Sequence, residues 1–201
     1  MAINDFHGEY FFLSNFYESP LWYNGKLWPT VEHAFQAAKV DPETAEKIHK
    51  AETPGEAKRL GRKGKMRPDW DTIRFKVMEE CLMRKFLCNP DLLQKLMDTG
   101  DEELIEGNTW HDNIWGDCGC SKCQNKPGQN MLGKTLMNIR QWYRDGRYTY
   151  AVKLYDQNGV GEIKWHFKEY ADAAKYLAGR KDGNGEACNP DDRHLLIITL
   201  R

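Results

Sequence analysis

From Thr30 to Met97 the chain is punctuated as a run of short, separately started helices, and this limits its folds more than any other feature. Thr30, following Pro29, is a natural N-cap and Glu32 a favourable first-turn anion, which predicts a helix through about Val40. A second helical stretch covers Pro42 to His49. Thr53-Pro54-Gly55-Glu56 combines a cap, a proline at the first helical position and an acid in the first turn, so a helix is expected from Pro54 to about Gly61. Between about Trp70 and Leu87 the apolar residues Ile73, Val77, Met78, Cys81, Leu82 and Phe86 recur at helical spacing, and Asn89-Pro90 breaks that run before another helix through Met97.

The flanks differ. Residues 9 to 28 are aromatic-rich and read as short strands and loops, with Asn24-Gly25 turning a hairpin between Leu21-Trp-Tyr and Lys26-Leu-Trp. Residues 98 to 128 form a long irregular segment containing Gly107, Gly116, Gly119 and Gly128, and a loop of that length in a compact domain is more often functional than accidental. A helix from about Asn130 to Arg144 closes the first part. Beyond Asp145-Gly146 the pattern changes to strand (Tyr148 to Tyr155), turn, strand (Val160 to Phe167), helix (Lys168 to Gly179) and strand (His194 to Leu200). The expected fold class is mostly α (α+β). A compact helical domain over 1–146, with a short N-terminal hairpin, precedes a small β-β-α-β module over 147–201.

At 201 residues such a chain can build its core without metals or disulfides. Its 29 Lys+Arg against 30 Asp+Glu exclude a dedicated DNA-coating protein, which carries a strongly basic domain. The N-terminus has no basic region followed by an apolar stretch, and the longest purely apolar run, Leu195 to Ile198, is far short of a membrane span. A cytoplasmic protein with reduced cysteines and no membrane partner is expected.

Charge is nevertheless segregated. Lys50 to Pro68 holds Lys50, Lys58, Arg59, Arg62, Lys63, Lys65 and Arg67 against two acids, whereas Asp98 to Asp117 holds seven acids and no Lys or Arg. The basic run reads either as a solvated helix face or as a phosphate clamp, since Arg forks and Lys point charges suit diphosphate oxygens.

Within the first helix, Val31, Ala34, Phe35 and Ala38 form one apolar stripe, and Glu32, Gln36 and Lys39 cluster on an adjacent one. A carboxylate, an amide and an amine placed there suit the wall of a cleft, although an ordinary boundary helix has the same pattern. In the irregular segment, Cys118-Gly-Cys120-Ser-Lys-Cys123 gives C-x-C-x2-C, which reads either as free thiols or as part of a structural, non-catalytic zinc site whose fourth ligand is His111 or a cysteine from elsewhere.

Several blocks occur in one order. Phe12-Leu-Ser-Asn-Phe16 is followed by Trp28-Pro-Thr-Val-Glu-His-Ala-Phe-Gln-Ala-Ala-Lys39, then by Thr53-Pro-Gly-Glu-Ala-Lys58 with Leu60-Gly-Arg62. Next come Asp69-Trp-Asp-Thr-Ile-Arg74 with Val77-Met78, Thr99-Gly-Asp101, Asp112-Asn-Ile-Trp-Gly116, and Asn130-Met-Leu-Gly133 with Leu136-Met137 and Arg140. Together, over about residues 9 to 144, they resemble the NADAR family. The resemblance implies a compact, mostly helical fold and hydrolysis of an N-glycosidic bond. Family substrates divide between ADP-ribosylated guanine and ribosylamino intermediates of riboflavin synthesis; both have a ribose with nitrogen on its anomeric carbon and a phosphate beyond.

Carried onto this chain, the family's functional positions fall on Glu32 and Lys39 in the helix and on Asp112 and Trp115 in the acidic loop. The resemblance implies Glu32 as general acid/base, Lys39 as nucleophile or anchor, and Asp112 as a second carboxylate orienting ribose hydroxyls or water. A covalent Lys39 needs a neutral amine, which burial favours and an ionised Glu32 opposes. Trp115, Trp70 and Phe16 are candidates for stacking on the base, and each reads equally as core. Asn15, His33, Gln36, Arg74, Asn130 and Gly133 lie in matched blocks as candidate substrate contacts. Among them His33 is expected to face solvent, Asn130 also reads as a helix cap and Gly133 as a close-packing position.

The implied chemistry requires no cofactor. Many family members have a glycine-rich loop without thiols here, so a metal is not part of the shared mechanism. The leading expectation is an N-glycosidase that removes ADP-ribose from guanine in nucleotide or nucleic acid, paired functionally with a nucleic-acid ADP-ribosyltransferase. The alternatives are a hydrolase of ribosylamino pyrimidine phosphates and a non-catalytic ADP-ribose or nucleotide-binding module.

Overall fold

The computed structural model describes residues 2–123, 125–188 and 194–199. By its contacts the chain divides into two units, Met1–Leu21 with Trp28–Gln141, and Trp22–Leu27 with Trp142–Arg201. The second unit takes in the end of the helix that closes at Arg144 and the hairpin tip.

The first unit opens with β1 (Ala2–Ile3) and a 3-10 turn (Gly8–Leu13); the hairpin strands β2 (Leu21–Tyr23) and β3 (Lys26–Trp28) come next in the chain. The helices α1 (Val31–Lys39), α2 (Pro42–His49), α3 (Pro54–Lys63), α4 (Trp70–Leu87) and α5 (Pro90–Asp98) follow. Their starts are chemically explicit. Thr30 Oγ1 accepts the His33 N–H at 3.3 Å, Asp41 Oδ1 the Thr44 N–H at 3.0 Å, and Thr53 Oγ1 the Glu56 N–H at 3.2 Å. Each such cap contributes about 1 kcal/mol. Asn24 (φ 51°) and Gly25 (φ 71°) both adopt the left-handed conformation that a two-residue hairpin turn needs.

Helix α1 lies at the centre, with α2, α3 and α4 packed around it. Its small residues permit this: Ala34 and Ala37 are buried, and across the α1–α3 contact Gly61 sits so close to Gln36 that a Cβ there would lie 2.1 Å from Oε1. Leu13, Ile48, Met78, Leu82, Phe86, Leu96, Leu104, Leu132 and Leu136 form the apolar core, almost entirely out of solvent. Burial of this kind stabilises by about 1.5–3 kcal/mol per large side chain.

The irregular segment contains β4 (Glu103–Leu104), β5 (Gly107–Asn108) and β6 (Asp117–Cys118) before α6 (Met131–Arg144). β4 pairs in parallel with β1 and β5 in parallel with β6. Buried Arg140 of α6 braces the start of this segment, donating to Thr99 Oγ1 at 2.6 Å and to the Glu102 carbonyl at 2.8 Å.

In the second unit, β7 (Tyr148–Tyr155) is the middle of an antiparallel sheet between β8 (Gly161–Phe167) and β9 (Leu195–Thr199), with α7 (Tyr170–Leu177) against β7 and β8. Leu200, placed in the last strand by its pattern, lies outside the described residues. The molecule is mostly helical with a small C-terminal sheet, and no helix among the described residues is long and apolar enough to cross a membrane.

Candidate active site

A cavity of ≈ 200 Å³ in the first unit is lined by the whole polar face of α1, Glu32, Gln36 and Lys39. Lys58 of α3, Trp70, Arg74 and Met78 of α4, the Ser14–Phe16 loop, and Glu106, Asp112 and Trp115 of the irregular segment complete it, beside Phe35. Two of the trio lie away from solvent, Glu32 at 5% exposed and Gln36 at 7%, while Lys39 is half-buried. Gln36 Nε2 donates to Glu32 Oε1 at 2.9 Å, one helical turn away. The Asn15 carbonyl accepts the Glu32 N–H at 3.0 Å, fixing the N-terminal loop to the start of α1.

Charge in the cavity is balanced against burial. Desolvation raises the Glu32 carboxyl above its ordinary range, opposed by Lys58, the Gln36 hydrogen bond, Arg62 and Lys39. Burial lowers the Lys39 ammonium pKa, and this outweighs the opposing pull of Glu32. Glu106 is pushed up to about 7, first by burial and then by Asp112, with Lys58 acting against both. A carboxyl in that range holds a proton it can give up near neutral pH.

Each of the acids is positioned by neighbours. Asp112 Oδ1 accepts the N–H groups of Ile114 at 3.1 Å and Trp115 at 2.9 Å, so the acid and the indole are one local structure. Asn108 grips the same residue, accepting the Asp112 N–H at Oδ1 and donating to its carbonyl from Nδ2 at 2.7 Å. Trp115 meets Phe35 edge-on at 5.4 Å and Phe75 at 5.4 Å, and Phe35 meets Trp70 at 4.9 Å. Trp115 is half-buried and Trp70 only 5% exposed, so Trp115 has more ring surface for a ligand. Phe16 carries the Lys58 ammonium over its ring at 5.3 Å from the centroid.

Three buried polar atoms of the lining have no hydrogen-bond partner among the described residues: Asn15 Oδ1, Gln36 Oε1 and Arg74 Nε. Leaving such atoms unpaired costs about 1–3 kcal/mol each, so their concentration in one cavity marks it as built to receive a polar ligand.

Other sequence candidates lie elsewhere. His33, expected to face solvent, is 1% exposed and ties α1 to its neighbours through Nδ1 to Thr30 Oγ1 at 2.8 Å and Nε2 to the Ala51 carbonyl at 3.3 Å. It does not line the cavity, because its place on the helix points it towards the α2–α3 connection. Asn130 also stays outside; at φ 48° its Oδ1 accepts the Glu106 N–H at 3.1 Å and its Nδ2 donates to Leu104 at 2.8 Å, bracing the segment that delivers Glu106. Gly133 is a packing position, since a Cβ there would lie 2.0 Å from the Leu104 carbonyl oxygen. Of the basic run only half-buried Lys58 lines the cavity. Lys50, Arg59, Arg62, Lys63, Lys65 and Arg67 are exposed, and Lys50, Arg59 and Arg67 pair with Glu46, Glu56 and Asp69. His111, Cys118, Cys120 and Cys123 come together in a separate cluster in the irregular segment.

Two residues had escaped the sequence reading. Glu106 stands alone between Leu104-Ile105 and Gly107, and a single acid next to apolar neighbours within the acidic run was the available signal. Lys85 is fully buried in α4, its ammonium donating to the Ser14 carbonyl at 2.7 Å beneath the cavity loop, and burial pushes its pKa down to about 7.

The chain resembles several known proteins. The NADAR domain matches residues 4–144. An N-glycosidase of Nostoc punctiforme is 41% identical over 138 residues, covering 66% of this chain and 85% of that protein. A riboflavin biosynthesis protein of Vibrio vulnificus is 40% identical over 176 residues, covering 83% of this chain and 46% of that protein, a span that runs beyond residue 144 into the second unit. The NMR structure of the Escherichia coli protein YbiA superposes with a TM-score of 0.63 at 32% identity, covering 72% of this chain and 84% of that one.

Proposed function

The chain belongs to the NADAR family, and from that premise we propose that it is an N-glycosidase cleaving the bond between the anomeric carbon of a phosphorylated ribose and a base-type nitrogen. The observation that carries this reading is the convergence of Glu32, Lys39, Glu106 and Asp112 on one cavity with unpaired polar atoms and an aromatic wall. A pure binding module has no use for a carboxyl held near pH 7 beside an amine lowered by burial.

In this reading Trp115 covers the base and Asp112 orients the ribose hydroxyls. Glu106, protonated near neutrality, gives its proton to the departing nitrogen as the C1–N bond breaks, and Glu32 takes the proton that Lys39 or water loses on attack. The neutral Lys39 amine attacks C1; ring opening then gives a Schiff base, which water hydrolyses to free the ribose and restore the amine. Lys58, Arg74 and the exposed side chains of α3 receive phosphate oxygens.

The substrate proposed first is ADP-ribosylated guanine in nucleotide or nucleic acid, for which the exposed Arg62, Lys63 and Lys65 supply further phosphate contacts. An ADP-ribosyltransferase acting on nucleic acid would generate it. The second is a ribosylamino pyrimidine phosphate, favoured by the likeness to the Vibrio vulnificus riboflavin biosynthesis protein, which extends past the shared domain. Chromatography with mass detection on both substrates separates them: release of ADP-ribose, or of ribose phosphate, by wild type and by neither Glu32→Gln nor Lys39→Ala is the expected result. Borohydride trapping of a substrate adduct on wild type but not on Lys39→Ala tests the covalent step. Cleavage of neither substrate, with ADP-ribose still bound, overturns the enzyme reading in favour of a binding module. A nucleic-acid-dependent reaction weakens steeply with salt as counterions are replaced.

A further inference from the structure

The cluster formed by His111, Cys118, Cys120 and Cys123 lies outside the cavity and takes no part in the chemistry above. Its four donor atoms, His111 Nδ1 or Nε2 and three Sγ, all lie within 4.8 Å of one another. Cys120 Sγ is 3.2 Å and Cys123 Sγ 3.4 Å from His111 Nδ1. A tetrahedral ion with sulfur ligands at about 2.3 Å sets its donors about 3.8 Å apart, so the cluster closes on such an ion with small side-chain rotations.

The backbone is arranged for the same end. His111 holds φ at 68°, a conformation that costs a non-glycine residue energy and that turns its imidazole back over the thiols. Its own N–H donates to Cys118 Sγ at 3.3 Å, holding that sulfur against the His111 backbone. Asn113 Oδ1 accepts the Cys118 N–H at 2.9 Å, and the Cys123 N–H closes a turn on the Cys120 carbonyl at 2.9 Å. Cys118 and Cys123 also line a solvent-connected cavity of ≈ 510 Å³, which gives an ion an entry path. Three thiols and one imidazole form a closed nitrogen–sulfur set, the donor chemistry of structural zinc rather than of an oxygen-seeking cation.

We propose that His111, Cys118, Cys120 and Cys123 bind one zinc ion, and that this ion fixes the loop from Asn108 to Cys123 that carries Asp112 and Trp115 into the cavity. The ion replaces the thiol protons, which leave to solvent. His111 is the chain neighbour of Asp112, and Cys118 pairs through β6 with Asn108, the residue that grips Asp112. The metal site and the cavity wall are thus two sides of one loop, with no metal ligand in the cavity.

The test is the metal content of the full chain purified without a polyhistidine tag, measured by plasma mass spectrometry. About one zinc per chain is expected in wild type and in Cys88→Ser, and a stoichiometry near zero in Cys120→Ser and His111→Ala. Wild type reconstituted with Co²⁺ should show sulfur-to-cobalt charge transfer and tetrahedral ligand-field bands, a readout that stands even where a variant fails to fold. Zinc release by an organomercurial should raise amide exchange across 108–123 and leave α1 unchanged. Zinc-free wild type that takes up no Co²⁺, with all three thiols open to a thiol reagent, overturns the proposal. So does a disulfide within the cluster, which would assign it to thiol redox chemistry. Exchange rising equally in α1 would refute the local role of the ion.

Discussion

Replacing Glu106 by Gln should make the protein more stable at alkaline pH while disabling it, and the structure sets the size of the effect. Burial and the neighbouring Asp112 raise the Glu106 carboxyl from 4.5 to about 7. The folded chain therefore keeps this proton between those two values where the unfolded chain has lost it, so stability declines as pH rises through that window and the decline ends above 7. At about 1.4 kcal/mol per pH unit the whole window amounts to about 3 kcal/mol. Glutamine has the same shape and no charge to desolvate. Urea unfolding of both proteins should give nearly equal stabilities at pH 5 and an advantage to Glu106→Gln of about 2–3 kcal/mol at pH 8. The same variant should lose its proton donor, lowering kcat by about 10²–10⁴ and removing the limb near pH 7 from the rate profile. A stability difference that does not change between pH 5 and pH 8 would refute the assignment of a buried, protonated Glu106.

Lys85→Met tests the opposite sign. Burial lowers the Lys85 pKa from 10.5 to about 7, so wild-type stability should rise with pH between those values, as the unfolded chain alone holds the proton; the variant should lack this rise in urea titrations at pH 7 and 9. Gly61→Ala drives a methyl group into Gln36, whose Oε1 lies 2.1 Å and Cβ 2.9 Å from the new atom; a loss of about 1–3 kcal/mol is expected by thermal unfolding, and an unchanged midpoint would show that α1 and α3 separate freely. Asn130→Ala removes both braces on the Leu104–Glu106 segment, so kcat should fall more than affinity for the product; equal losses in both would argue for a direct substrate contact.

The helices of the first unit were legible because each announces itself locally, by Thr30, by Asp41 before Pro42, by Thr53 before Pro54 and by Asn89 before Pro90. The α1 trio was legible for the same reason, its spacing of four and three residues being enough to put it on one face. What escaped depends on partners remote in sequence. Glu106 enters the cavity because Asn130 holds its backbone from 24 residues away, and β1 finds β4 across a hundred residues through only two residues on each side. No local pattern encodes either. His33 misled because helical angle alone gives a direction relative to Glu32, whereas solvent is excluded on that side by the chain at Ala51. The basic run was ambiguous for a related reason: charge density along the chain does not say that Lys58, on the inner edge of α3, turns inward while Arg62 and Lys63 stay in water.

Helix α1 is enclosed by three other helices, and this gives the cavity two walls of unlike construction. Because α2, α3 and α4 pack around the helix that carries Glu32, Gln36 and Lys39, its amides are expected to exchange with solvent more slowly than those of the acidic loop. The facing wall, with Asp112 and Trp115, is held instead by the short β5–β6 pairing, by the Asn108 clasp and by the proposed zinc site. Substitutions in the loop can therefore reshape one wall of the cavity while the groups that α1 presents, tied to each other within the helix, stay as they are.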